Sequence, residues 1–131
     1  MSDFKEICNF YKNKKVLVTG HTGFKGSWLV TWLDMLGSKL IGIGLDPLTQ
    51  PNHFKIIKKN INIKDIRLDI KDEKSLIKVI QKFKSDIAFH LAAQAIVSNP
   101  YNHPKLTFEA NVLGTLNLLT VLNKLGKKTS K

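Results

Sequence analysis

The sequence predicts an α/β fold: part of a doubly wound parallel sheet, strand order 3-2-1-4, with helices on both faces. Three observations predict it. Short β-branched runs alternate with segments of helical period. The first run ends in glycine and opens directly into a helical segment. The intervals between runs are long enough for crossovers, each of which is right-handed and must pack back on the sheet.

The segment KKVLVTG, residues 14–20, reads as a buried parallel strand because its apolar positions are continuous rather than alternating. From Lys25 to Leu36 the period changes, with Trp28, Leu29, Trp32, Leu33 and Leu36 expected on one apolar face and Gly37 placed to stop the helix. Trp28 and Trp32, one turn apart, read as helix packing rather than a stacking platform. KLIGIGLD, residues 39–46, is the second strand, and residues 47–60 form a polar connection without a clear period. IRLDI, residues 66–70, is the third strand. Asp72 then caps a helix with Leu76, Ile77, Ile80 and Phe83 inward and Lys74, Lys78 and Lys82 outward. IAFHLAA, residues 87–93, reads as a buried fourth strand that holds His90 as a hydrogen-bonded core histidine. The last helix runs from Lys105 to Leu125, with Phe108, Val112, Leu116, Leu119 and Leu122 expected on its apolar side.

Composition narrows the function classes. With 43% hydrophobic and 24% charged residues, the 131-residue chain fits one compact domain, 1–131, and excludes a disordered or collagen-like class. The formal charge of +11 comes from lysines, Arg67 being the only arginine, so it reads as a solvated surface and not as a specific nucleic-acid site. One cysteine, Cys8, leaves no internal disulfide, and neither it nor His21, His53 and His103 show metal-ligand spacing, so no metal is expected. No segment approaches the roughly 20 apolar residues of a membrane span and no signal-type run opens the chain, so a cytoplasmic location without a membrane partner is expected.

The chemistry sits in TGHTGFKGSW, residues 19–28. Gly20 permits a tight turn, Gly23 lets backbone amides approach a pyrophosphate, and Gly26 lets the helix pack closely on the strand. The helix start adds unpaired N–H groups and the positive end of its dipole. Asp46 lies 20 residues after Gly26 at the end of the second strand. There its carboxylate would accept from adenosine ribose hydroxyls and repel a 2′-phosphate, which points to NAD as the cofactor. The other reading is a structural glycine turn with an ordinary strand-end aspartate.

TGHTGFKGSW together with LDPLTQPNHF (45–54), FHLAAQ (89–94) and TFEANVLGTLNLL (107–119) resembles the N-terminal part of the extended short-chain dehydrogenase/reductases, the NAD-dependent epimerase/dehydratase family. Within it, the chain is similar to the CDP-glucose 4,6-dehydratases. That narrower likeness rests on GHTGFKGSW and the L-D-P-x-T-x-P-x-x-F run; HLAA and N-V-x-G-T are shared with epimerases and other sugar-nucleotide dehydratases. The resemblance implies a Rossmann-type fold and a lyase reaction, in which NAD takes a hydride from C4 of the sugar, water is lost across C5 and C6, and the hydride returns to C6. It also implies deoxysugar supply for surface polysaccharide.

The resemblance also implies residue roles. Gly20, His21, Thr22, Gly23, Phe24 and Lys25 would line the pyrophosphate. Asp69 and Ile70, after the third strand, would hold the adenine, with a helix-capping or turn residue as the other reading of Asp69. Leu91, Ala92, Ala93 and Gln94 would stand beside the cofactor's ribose. Asn111 has a structural and a functional reading alike. No catalytic residue is assigned. The family's Y-x-x-x-K pair occurs twice by spacing, as Tyr11 with Lys15 and Tyr101 with Lys105. The first precedes the first strand and the second lies between Pro100 and Pro104, which oppose a helix.

Ser98 stands where the family usually has an arginine, and Pro100 where it has a small polar residue. The sequence stops at GKKTSK, where a fifth strand with a Thr-Asp-Lys group is expected, so the chain is expected to be truncated, without a substrate domain and inactive alone. A nucleotide-sugar partner is then expected only with a C-terminal complement, and the open edge of the fourth strand predicts a homo-oligomer or pairing with another chain.

Overall fold

The computed structural model describes residues 2–94 and 103–126. They fall in two compact units, Met1–Arg67 with Ser85–Leu91, and Leu68–Lys84 with Ala92–Lys131.

The first unit contains the whole sheet. Four parallel strands, β1 (Lys15–Thr19), β2 (Lys39–Gly44), β3 (Ile63–Arg67) and β4 (Ile87–His90), lie in the order β3-β2-β1-β4, as the sequence predicts. The central strands carry continuous apolar runs because both their faces are covered: Val16, Leu17, Val18, Leu40, Ile41 and Ile43 are all buried. The third strand begins and ends three residues before the expected position. Its register pairs Leu40 with Ile63 and Gly44 with Arg67. After it, Asp69 turns the chain by accepting the Lys71 N–H on its own carboxylate, 2.9 Å away. The fourth strand is shorter than expected and half-exposed, because it is an edge strand paired only with β1.

Three helices belong to this unit. Helix α1 (Ser2–Tyr11) and the short α3 (His53–Ile57) have no counterpart in the sequence prediction. Asn52 caps α3 by accepting the Lys55 N–H, and the helix places Phe54, fully buried, in a core cluster with Val16, Val18, Val30, Leu33 and Leu40. Helix α2 (Phe24–Met35) ends as expected at Gly37, which takes φ +78°. Its buried face is only in part the expected one: Leu33 and Leu36 are buried as expected, whereas the two tryptophans are not. Gly26, Ser27, Val30 and Leu33 turn inward, while Trp28 and Trp32 remain 55% and 51% exposed. The cause is Gly26, where an added Cβ would lie 2.1 Å from the Gly20 carbonyl oxygen. That contact fixes the rotation of the helix, and residues two positions on lie about 200° round it.

The second unit is helical. Asp72 caps α4 (Glu73–Phe83) through bonds from the Ser75 N–H and hydroxyl, and Leu76 and Ile80 are buried as expected. The long final helix is expected as one α-helix but consists of α5 (Pro104–Phe108), a π-helical stretch (Glu109–Leu113) and α6 (Gly114–Gly126). Its expected apolar face is the exposed one: Phe108, Val112, Leu116 and Leu119 are open, and Gly114, Leu118 and Val121 are buried. The wider π turn shifts every later side chain round the axis. Gly114 sits against Ile70, whose side-chain tip would lie 2.5 Å from an added Cβ, and this turns the Gly114 row inward. Among the described residues no helix is long and apolar enough to cross a membrane.

Candidate functional site

The site is built from the strand ends upward. β1 delivers Gly20 at φ +74°, a conformation that a side chain resists, and the Gly20 carbonyl accepts the Gly23 N–H at 3.1 Å to close the turn. α2 begins immediately after, so its first amides and the positive end of its dipole face the turn. Phe24 and Lys25 stand exposed at this mouth. Thr22 is turned the other way, its hydroxyl donating to the Leu45 carbonyl at 2.9 Å, which ties the glycine turn to the end of β2.

His21 is fully buried under the loop, so its imidazole does not line the mouth and only its backbone is available there. The ring lies against Gly42, where an added Cβ would fall 2.4 Å away, and makes an edge contact with Phe54. Nε2 bonds Asp65 at 2.8 Å, while Nδ1 is buried without a hydrogen-bond partner among the described residues. Burial lowers the His21 pKa, and the Asp65 carboxylate only partly offsets it. Burial pushes the Asp65 carboxyl up, yet bonds from Lys58 at 2.7 Å and His21, with the Arg67 charge, outweigh it and leave the pKa below the ordinary value.

Asp46 sits just beyond β2, exposed, with its carboxylate 3.5 Å from Nε of Arg67. Leu91 follows β4, and its N–H donates to the Thr19 carbonyl at 3.0 Å. His90 is hydrogen-bonded, its Nδ1 lying 2.6 Å from the Thr19 hydroxyl, but it is on an exposed strand edge and not in the core. Desolvation lowers its pKa.

The remaining expected residues belong to the second unit. Asp69 makes its turn bond and an ion pair with Lys71; Ile70 is buried against Gly114. Asn111, in the π stretch, clasps the backbone of Gln94: its Oδ1 accepts the Gln94 N–H at 2.7 Å and its Nδ2 donates to the Gln94 carbonyl at 3.3 Å. Ala92 and Ala93 precede Gln94 in this unit. Tyr11 ends α1 while Lys15 begins β1, so this pair shares no helix face. Tyr101, Ser98 and Pro100 lie outside the described residues.

Sequence reasoning missed Asp65, Arg67, Lys58 and His53. Asp65 and Arg67 lie two apart, hence on one face of β3, and this D-x-R alternation was the available signal. His53 gave none: it stacks on Trp28 at 4.2 Å between ring centres, with Nδ1 2.8 Å from the Ser27 hydroxyl. The exposed Trp28 is therefore a stacking partner rather than helix packing.

A strand, a positive-φ glycine, a helix start pressed on that glycine and a carboxylate at the next strand end are the parts of a dinucleotide cradle. The family model described as GDP-mannose 4,6 dehydratase matches residues 17–131. The chain belongs to this family.

Sugar-nucleotide dehydratases and epimerases are its relatives. A CDP-glucose 4,6-dehydratase of Salmonella typhimurium is 43% identical over 118 residues, covering 90% of this chain and 33% of the relative. Among solved structures, an epimerase of Methanothermobacter thermautotrophicus superposes with a TM-score of 0.81 at 30% identity, covering 92% of this chain and 35% of that one. The UDP-glucose 4-epimerase of Thermus thermophilus, solved in complex with NAD, gives a TM-score of 0.72 at 31% identity over 86% of this chain and 34% of that one. The GDP-mannose 4,6-dehydratase family member described here thus spans about a third of the length of these relatives.

Proposed function

We propose that the chain is the NAD-binding N-terminal portion of a sugar-nucleotide 4,6-dehydratase that converts CDP-glucose to CDP-4-dehydro-6-deoxyglucose. The observation that carries the cofactor part is the cradle itself, in which Gly26 abuts the Gly20 carbonyl and the start of α2 opens beside it. The residues fit NAD: amides of the Gly20–Lys25 turn and the Lys25 charge would hold the pyrophosphate, and Asp46 would accept from the ribose hydroxyls. Bound NAD supplies reversible hydride acceptance. The choice of CDP-glucose is supported by the likeness to the Salmonella dehydratase.

The 131 residues alone are proposed to bind NAD without turnover, since Tyr11 and Lys15 do not form the family's helical pair. By the same reading the setting is cytoplasmic deoxysugar supply for polysaccharide, with no specific nucleic-acid partner and no membrane partner. The free edge of β4 would pair with a second chain. A second reading, part of a sugar-nucleotide epimerase or a non-catalytic NAD-binding module, is favoured by the superposition on two epimerases.

Titration with NAD, followed by Trp28 and Trp32 fluorescence, tests the cofactor. Saturable binding is expected, and its absence at millimolar NAD would remove the proposal. Assays of the chain joined to its downstream coding sequence, with CDP-glucose and UDP-glucose as alternatives, separate dehydratase from epimerase. Dehydration of CDP-glucose by the 131 residues alone would refute the inactivity.

A further inference from the structure

The chain uses lysine throughout and arginine once, at Arg67. Arg67 lies at the end of β3, beside the end of β2 in register with Gly44. Its guanidinium is used as a fork. Nη1 donates to the Leu45 carbonyl at 2.8 Å, Nη2 donates to Asp65 at 3.0 Å, and Nε faces Asp46 at 3.5 Å. The ring of Phe54 lies 5.5 Å below its central carbon. A lysine, with one point of charge on a flexible stem, cannot make this set of contacts.

The consequence concerns charge at the ribose end of the cradle. Four charged side chains meet here: Asp46 and Asp65 against Arg67 and Lys58. Formally they cancel. Lys58 and Nη2 of Arg67 are both committed to Asp65, which is nearly buried, whereas Asp46 is 89% exposed and Arg67 34% exposed. Asp46 therefore stands as the outer member of the pair and hides a guanidinium fixed directly behind it. In dinucleotide folds an acidic side chain at this point accepts from a free 2′-hydroxyl, and a nearby arginine accommodates a 2′-phosphate. Here both are present in contact.

We propose that Arg67 is a specificity-determining residue: it is an assembled counter-charge for a 2′-phosphorylated dinucleotide, held silent by Asp46. This rests on the reading of the cradle as an NAD site. Preference for NAD then depends on the pair and not on Asp46 alone. In its unmasked state Arg67 would act on the phosphate directly through Nε and its remaining N–H groups, without any movement of β3.

Calorimetric titration of the 131-residue chain with NAD and with NADP tests this in the parent, Asp46→Asn, Arg67→Gln and the double variant, at low and at physiological salt. The parent should bind NAD more tightly than NADP. Asp46→Asn should raise NADP affinity by about tenfold or more, a gain that shrinks with added salt, and Asp46→Asn with Arg67→Gln should lose that gain. Because Arg67→Gln also removes the bond from β3 to the Leu45 carbonyl just beyond β2, Asp46→Asn with Arg67→Lys supplies a charge-preserving control. It should keep part of the gain. If Asp46→Asn improves NADP binding equally with and without Arg67, or not at all while the parent binds NAD, the role of Arg67 is overturned and the NAD site stands. If the parent binds neither nucleotide, the site reading fails and this inference with it.

Discussion

Replacing Gly42 by alanine should dislodge the histidine beneath the glycine turn. The added Cβ would lie 2.4 Å from both Cγ and Cδ2 of His21. Carbon atoms in contact lie about 3.5 Å apart, so the ring must retreat by about 1 Å. Retreat has consequences on both sides, since Phe54 packs edge-on against the ring and Asp65 holds Nε2 at 2.8 Å. Overpacking a core costs about 1–3 kcal/mol, and loosening a hydrogen bond to a charged group adds up to about 1.5–3 kcal/mol. We expect Gly42→Ala to lose about 3 kcal/mol. His21→Ala clears the space, so the double variant should lose less than the sum of the singles by at least about 1 kcal/mol. Urea titrations of the four chains, followed by tryptophan fluorescence and far-UV circular dichroism, measure this. If Gly42→Ala costs as much in the His21→Ala background as in the parent, the ring is not what excludes a side chain at position 42 and the reasoning fails.

Phe54→Ala should cost about 3–5 kcal/mol in the same titration, as for any fully buried phenylalanine, and Phe54→Leu much less. A small effect of Phe54→Ala would mean that α3 does not anchor the core. Stability should also fall with acid. The His21 pKa is lowered from 6.5, so above that value neither state gains a proton. Below it the unfolded chain binds a proton that the buried ring refuses, and stability is lost down to the folded pKa. His90 contributes in the same sense, and Asp65, lowered from 3.8, adds a loss in a more acidic window, as pH falls through its folded pKa. His21→Gln should flatten the slope between about pH 7 and 5, and an unchanged slope would exclude His21 as its source. On the last helix, Leu116→Glu with Leu119→Glu should change stability by less than about 1 kcal/mol, whereas Leu118→Ala should cost about 2–5 kcal/mol. The reverse ranking would show that the buried face is the one expected from periodicity.

The strand order was legible because continuous apolar runs and crossover lengths leave little choice for β1, β2 and β4. The glycine turn was legible because Gly20 and Gly26 have no substitute in their positions. The inward face of α4 was legible, with Leu76 and Ile80 buried as expected, but the faces of α2 and of the last helix were not. FKGSWLVTWLDM and GTLNLLTVLNKLG are apolar on more than one side, so period alone cannot select the inward row. In both helices a glycine pressed on a neighbour selects it: Gly26 on Gly20, Gly114 on Ile70. Helix α3 escaped because a five-residue segment is too short to show a period. The Asp65 and Arg67 contacts escaped because they join residues distant in sequence, His21 to Asp65 and Leu45 to Arg67. What periodicity reports is whether a segment has a side to bury; which side is a tertiary decision.

The pairing of β4 with β1 also bears on how the chain folds. β1 and β2 are near neighbours in sequence, but the two hydrogen bonds at the start of the β1 and β4 register, Lys15 N–H to the Asp86 carboxylate and Asp86 N–H to the Lys15 carbonyl, close a separation of 71 residues. During synthesis β1 therefore waits with one edge bare until more than two-thirds of these 131 residues have emerged. Loop closure of this length is slow relative to local helix formation. The reciprocal clasp at Lys15 and Asp86 gives the late strand a fixed point of arrival. An incorrect strand that reached β1 first would occupy the edge that His90 and Leu91 must find, which makes this junction the place where a chaperone, or an aggregate, competes with folding.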